Sequence, residues 1–107
     1  MLQTPIRTRF LRSTLDLIIL KLLSEQLMYG YQIITTFRRN FGTYFSPSTI
    51  YPLLGDLEKA GFIKSEWNLS NDRPRKLYQL TAMGHNTLRR LEADIQPLTV
   101  KMESLCR

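Results

Sequence analysis

Residues 46–63 read SPSTIYPLLGDLEKAGFI, and the fold turns on how this run is read. Ile50, Leu53, Leu54 and Leu57 recur at helical spacing. Ser46 is a good N-cap, and Pro47 is a good first helical residue because the amide it lacks has no partner there. Gly61 is the expected stop. Pro52 then falls inside the helix, where it cannot donate to the Ser48 carbonyl and its ring crowds that carbonyl. Proline in a helix interior costs about 3 kcal/mol. The cost shrinks near the first turn, where a freed carbonyl can meet water. The run therefore predicts a helix with an exposed, slightly bent amino-terminal end. The hydroxyls of Ser46, Ser48, Thr49 and Tyr51 gather at that end.

Two helices are expected upstream. Leu15, Ile18, Ile19, Leu22 and Leu23 follow helical spacing, and Leu17 and Leu20 widen the apolar face. Ser13 is the expected cap, with Asp16 completing a weak capping box. The second helix runs from about Tyr29 to Phe41, with Ile33, Ile34, Phe37 and Phe41 as its stripe and Gly42 as its stop. Arg38 and Arg39 lie near its carboxyl end, where the helix dipole favours cations. Residues 1–12, MLQTPIRTRFLR, show no period and read as a basic arm. Arg7, Arg9 and Arg12 followed by LDLIILKLL faintly suggest a secretory leader. Asp16 and Lys21 interrupt the apolar run, no small-residue cleavage site follows, and the run is too short to span a bilayer. It reads as a core helix.

Downstream, Phe62 to Leu69 alternates. Ile63, Ser65, Trp67 and Leu69 share one face; Lys64, Glu66 and Asn68 share the other, which is expected to be wet. SNDRP is turn chemistry, and Arg75 to Thr81 reads as a second strand with Tyr78 and Leu80 inward. The resulting hairpin carries Arg73, Arg75 and Lys76 at its tip. Thr81 can cap a last helix. Its apolar positions Leu88, Leu91, Ile95, Leu98, Met102 and Leu105 alternate by three and four, a heptad seam. Pro97 should bend it.

At 107 residues the chain fits one small domain. Its net charge is +6, from 15 Lys and Arg against 9 Asp and Glu. Such a balance points to a polyanion, nucleic acid first. Eleven of the cations and six of the acids precede Leu88, so the anion-binding surface is expected there rather than in the last helix. The one cysteine, Cys106, builds no disulfide framework within the chain, which suits a reducing cytoplasm. His85 has no second histidine for a metal site and is expected on the surface near the start of the last helix. No nucleophile–base pair and no phosphate-binding glycine loop is present, so the sequence does not suggest an enzyme, a cofactor or a membrane partner.

Three helices, a basic hairpin and a final helix are the order of a winged helix-turn-helix. The sequence further resembles the PadR-like transcriptional regulators. The resemblance rests on YGYQI at 29–33, SPSTIYPLLGDLEKAGFI at 46–63 and RPRKLYQLTAMG at 73–84, and it extends from about Leu15 to Leu91. It implies that the third helix reads DNA and that the hairpin is the wing. Carried over position by position, the DNA contacts are Ser46, Ser48, Thr49, Tyr51, Arg73, Arg75 and Lys76. Their chemistry fits, since hydroxyls bond phosphate oxygens or base edges and cations follow the minor groove or its phosphates. Two departures are Ser48, where the family has glycine, and Gly55–Asp56, where it is often basic. Asp56 would repel phosphate, so base reading should rest on the first turns, with wing and arm adding affinity.

The resemblance also implies a homodimer held through the last helix, with Leu88, Leu91, Ile95, Leu98, Met102 and Leu105 at the interface. Some relatives take flat apolar ligands in an aromatic cavity, which leaves room for a small aromatic or apolar effector. Trp67, however, is expected to pack against the hairpin or the first helix. The expected organisation is a basic arm over 1–12, a winged helix domain over 13–81 and a dimerisation helix over 82–107, mainly α with a small β-hairpin. The expected function is a cytoplasmic, sequence-specific regulator, a homodimeric repressor on a roughly palindromic site. A non-specific architectural DNA binder and a winged-helix protein adaptor are the alternatives.

Overall fold

The structure is a computed structural model that describes residues 5–70 and 72–105. Within the expected basic arm, where the sequence shows no period, Pro5–Ser13 is a helix, α1. Proline suits a helix start. Leu11 is buried in the core. Arg7 donates to Thr43 Oγ1 and to the Phe41 carbonyl, each at 3.0 Å. With only one of its apolar residues buried, this helix leaves no stripe for a periodicity argument to find. Residues 1–4 of the expected arm lie outside the described residues.

Helix α2 spans Leu15–Glu25 and buries Leu15, Ile19, Leu20 and Leu23. Ser13 does not cap it. Thr14 holds that position without a side-chain bond. Both hydroxyls instead finish α1, Ser13 Oγ donating to the Phe10 carbonyl and Thr14 Oγ1 to the Leu11 carbonyl. Met28–Tyr29 then forms a short strand, β1, which two residues of sequence could not announce. Helix α3, Gly30–Phe41, buries Ile33 and Phe37. It ends at Gly42, whose φ of 69° lies in the left-handed region that favours glycine.

Helix α4, Pro47–Lys59, is the run that opened the reading, with Ser46 as N-cap and Pro52 inside it. Ile50, Leu54 and Leu57 are buried, and Pro52 is exposed as expected. Strands β2, Ile63–Asn68, and β3, Arg75–Leu80, pair antiparallel from Ile63↔Leu80 to Asn68↔Arg75. Strand β1 joins the other edge of β3, Met28 facing Tyr78, so the sheet order is β1-β3-β2. Tyr78 and Leu80 point inward as expected. Leu69 does not; it lies beyond β2 and is exposed.

Thr81 caps α5, Ala82–Ser104, accepting from the Gly84 amide at 3.0 Å and donating to the Gly61 carbonyl at 2.6 Å. Of the expected seam only Leu88 is buried; Leu91, Ile95, Leu98, Met102 and Leu105 are exposed. Lys21 of α2 and Glu92 of α5 form an ion pair at 2.9 Å. His85 is exposed near the start of α5, and Cys106 lies outside the described residues. Leu15, Ile19, Ile33, Phe37, Ile50, Leu54 and Ile63 share one core, so α2, α3, α4 and the sheet hold one another in fixed relation. The architecture is mainly helical with one small antiparallel sheet.

Candidate nucleic-acid interface

Helix α4 and the β2–β3 wing stand side by side over a cleft of about 450 Å³. Tyr51 and Gly55 line it from the helix; Trp67, Pro74, Arg75 and Lys76 line it from the wing. The elements expected to meet DNA therefore face one concavity. The core packing of α4 against β2 explains why. Ile63 and Leu57 are buried together, and Ser65 donates to Glu58 Oε2 at 2.7 Å.

At the start of α4, Ser48 is exposed while Ser46 and Thr49 are half-buried. The Ser46 and Ser48 hydroxyls are 2.7 Å apart and share a hydrogen bond, so Ser46 does not close the helix end with its own side chain. Pro47 has no amide, and the Thr49 and Ile50 amides both donate to the Ser46 carbonyl. This end thus offers an anion fewer free N–H groups than an ordinary helix start. Its binding chemistry rests on hydroxyls.

On the wing, Arg73 and Asp72 are exposed at the tip. Lys76 lies over the Trp67 ring, Nζ 5.3 Å from the centroid. Trp67 is 60% exposed. It meets Lys76 across the hairpin and faces the cleft, and is not packed into the core. The Arg75 guanidinium lies 5.8 Å from the centroid of Tyr29 and 5.2 Å from that of Tyr31, and donates to Tyr31 Oη at 3.1 Å. Tyr51 is 43% exposed, with the outer atoms of its ring laid against Gly30. At the cleft floor, burial raises the Tyr78 pKa above its usual 10.0, and the nearby Glu58 and Tyr51 raise it further. The phenol stays neutral and adds no anion to the surface.

Two of the arm arginines have contacts within the chain. Arg7 ties α1 to the end of α3 and the loop after it through the Phe41 carbonyl and Thr43, and Arg12 lies 5.7 Å from the Phe45 ring centroid in that loop. Sequence reasoning missed the roles of Tyr29 and Tyr31 around Arg75. It also passed over Tyr44, which is exposed just before α4 with Arg38 stacked 5.8 Å from its ring centroid. The YGY triplet was the available signal. Among the described residues no group of histidine, cysteine and carboxylate side chains is arranged to hold a metal, and no helix is long and apolar enough to cross a membrane.

Comparison with known proteins agrees with this geometry. The profile of the transcriptional regulator PadR-like family matches residues 19–90. A PadR family transcriptional regulator from Eggerthella lenta superposes with a TM-score of 0.84 at 33% identity, over 94% of this chain and 88% of that one. A PadR-like transcriptional regulator from Bacillus cereus superposes with a TM-score of 0.80 at 26% identity, over 92% and 97%. An uncharacterised protein of Lysinibacillus sphaericus is 33% identical over 82 residues, 74% of this chain and 75% of its own length. The chain therefore belongs to the PadR-like family of transcriptional regulators, which bind DNA and are not enzymes.

Proposed function

We propose that the chain is a homodimeric repressor that reads a roughly palindromic promoter site with α4 of each copy. The observation that carries the reading is the shared cleft: Tyr51 and Gly55 of α4 and Trp67, Arg75 and Lys76 of the wing line one concavity. Ser46, Ser48 and Thr49 enter the major groove and meet base edges or phosphates. Arg73 and Lys76 meet the backbone or the adjacent minor groove. Tyr51 and Arg75 line the path between. Repression follows from occupancy of promoter DNA.

A second copy of the chain is supported by the uncovered seam of α5. Leu91, Ile95, Leu98, Met102 and Leu105 form an exposed apolar line. Beside it, Leu17, Ile18, Leu22, Phe41 and Ile95 line a groove of about 320 Å³. Burying such a line against its symmetry mate removes apolar area from water, and reading successive major grooves requires the two helices about 34 Å apart, one turn of DNA.

A mobility-shift titration in rising salt tests the reading, using the promoter of the chain's own gene and a scrambled duplex. Neutralising about six phosphates gives a log–log slope of about −5, with tighter binding to the promoter. Equal affinity for both duplexes would make the chain an architectural binder. Salt-insensitive binding, or none, would make it a protein adaptor.

A further inference from the structure

The three residues at the start of α3 touch both DNA-facing elements at once. On the wing side, the Tyr29 and Tyr31 rings stack with centroids 5.8 Å apart and planes 8° from parallel. Arg75 lies within 5.8 Å of both centroids and donates to Tyr31 Oη. Asn68 Nδ2 donates to Tyr29 Oη at 2.6 Å. Asn68 and Arg75 are paired with each other at the wing end of the β2–β3 ladder, so the tyrosines hold both strands where the hairpin leaves the body of the protein. On the helix side, a Cβ at Gly30 would come within 2.5–2.6 Å of the Tyr51 ring and hydroxyl. Only glycine lets the ring sit there. The segment is itself anchored, because the Tyr29 amide donates to Gln32 Oε1 at 2.8 Å and Tyr29 pairs with Leu77 across the sheet.

We infer that Tyr29–Gly30–Tyr31 is a positioning hub that sets the spacing and angle between the reading helix and the wing. In this role Arg75 acts through the tyrosines and not as a phosphate contact. The inference rests on the DNA-binding reading above. A two-stranded hairpin is marginally stable by itself. A wing that had to be ordered on the duplex would lose affinity to that ordering. A guanidinium against both rings of a stacked pair, with one directed hydrogen bond, fixes the wing before DNA arrives. The wing's other cations, Arg73 and Lys76, are then delivered in register with α4.

The experiment compares Tyr31→Ala, Arg75→Ala, their double variant and Arg73→Ala. DNA affinity is measured against salt, and amide hydrogen exchange of residues 66–76 is measured without DNA. Tyr31→Ala and Arg75→Ala should each weaken binding about tenfold, the scale of a lost cation–π contact plus hydrogen bond. The double variant should bind no worse than either single one, because both remove the same link. Tyr31→Ala and Arg75→Ala should leave the salt slope near the parent value and speed wing exchange. Arg73→Ala should flatten the slope by about one and leave wing exchange alone. Tyr31→Phe should fall between parent and Tyr31→Ala. Gly30→Ala should weaken binding with little change in thermal midpoint, since only the outer end of the Tyr51 ring must move.

The inference is overturned if Tyr31→Ala leaves affinity and wing exchange unchanged while Arg75→Ala weakens binding and flattens the slope. Strictly additive losses in the double variant would overturn it too. Failure of the underlying reading looks different: the parent chain would bind no duplex with a salt dependence, while wing exchange in Tyr31→Ala would still report whether the hub exists.

Discussion

Glycines separate what a side chain can tolerate from what the backbone needs. Gly84 packs against the Phe62 carbonyl and the Leu80 side chain, and a Cβ there would overlap backbone that cannot give way. Gly84→Ala should therefore lose about 1–3 kcal/mol or more of stability in urea denaturation. Gly55 is the reverse case. It sits inside α4 with open space around it, so Gly55→Ala should gain about 0.5–1 kcal/mol from helix propensity in the same assay. Equal responses from the two would contradict the packing described. Composition conveys neither outcome. The residue types at Tyr51 and Arg75 told what those groups can bond to, and their seats against Gly30 and beside two tyrosines depend on contacts made by distant parts of the chain.

Elements were legible in proportion to how much of a repeating face they bury. Helix α4 combines an N-cap, a first-turn proline and buried Ile50, Leu54 and Leu57. Strand β3 buries Tyr78 and Leu80 in alternation. Both stood out from the sequence. Helix α1 buries only Leu11 among its described side chains, and β1 has two residues, so neither leaves a period. The inward face of β3 also makes a pH prediction. Tyr78 has its pKa raised, first by burial and then by Glu58 and Tyr51. The folded chain holds that proton more tightly than the unfolded one. The contribution of this phenol to stability is therefore full below pH 10.0 and is lost as pH rises through the folded value. Lys21, raised by its hydrogen bond to Glu92, acts in the same direction. Tyr78→Phe should show a shallower loss in denaturation series run from about pH 8 to about pH 11. An unchanged pH profile would mean the phenol is not buried as described.

The assembled protein raises a question that no single element answers, because α5 leaves its seam open to water. On the proposed dimer, Leu91→Glu combined with Leu98→Glu should leave a monomer in sedimentation, with the fold of residues 13–81 kept. A dimer that survives both changes would place the interface elsewhere. The three-four alternation itself was plain in the sequence, and it shows even though five of its six residues are exposed. The cleft was plain only in part. Sequence named the helix and the wing, and the packing of Ser65 on Glu58 and of Tyr51 on Gly30 accompanies the cleft that Tyr51 and the wing share. That common side is tested by titrating the isotope-labelled chain with a duplex from its own promoter and following backbone amide resonances. Shifts gathered at residues 46–51 and 72–76, with α5 undisturbed beyond the dimer contact, are the expected result. Shifts centred on α5 or on the outer face of the sheet, with those two segments unmoved, would contradict it.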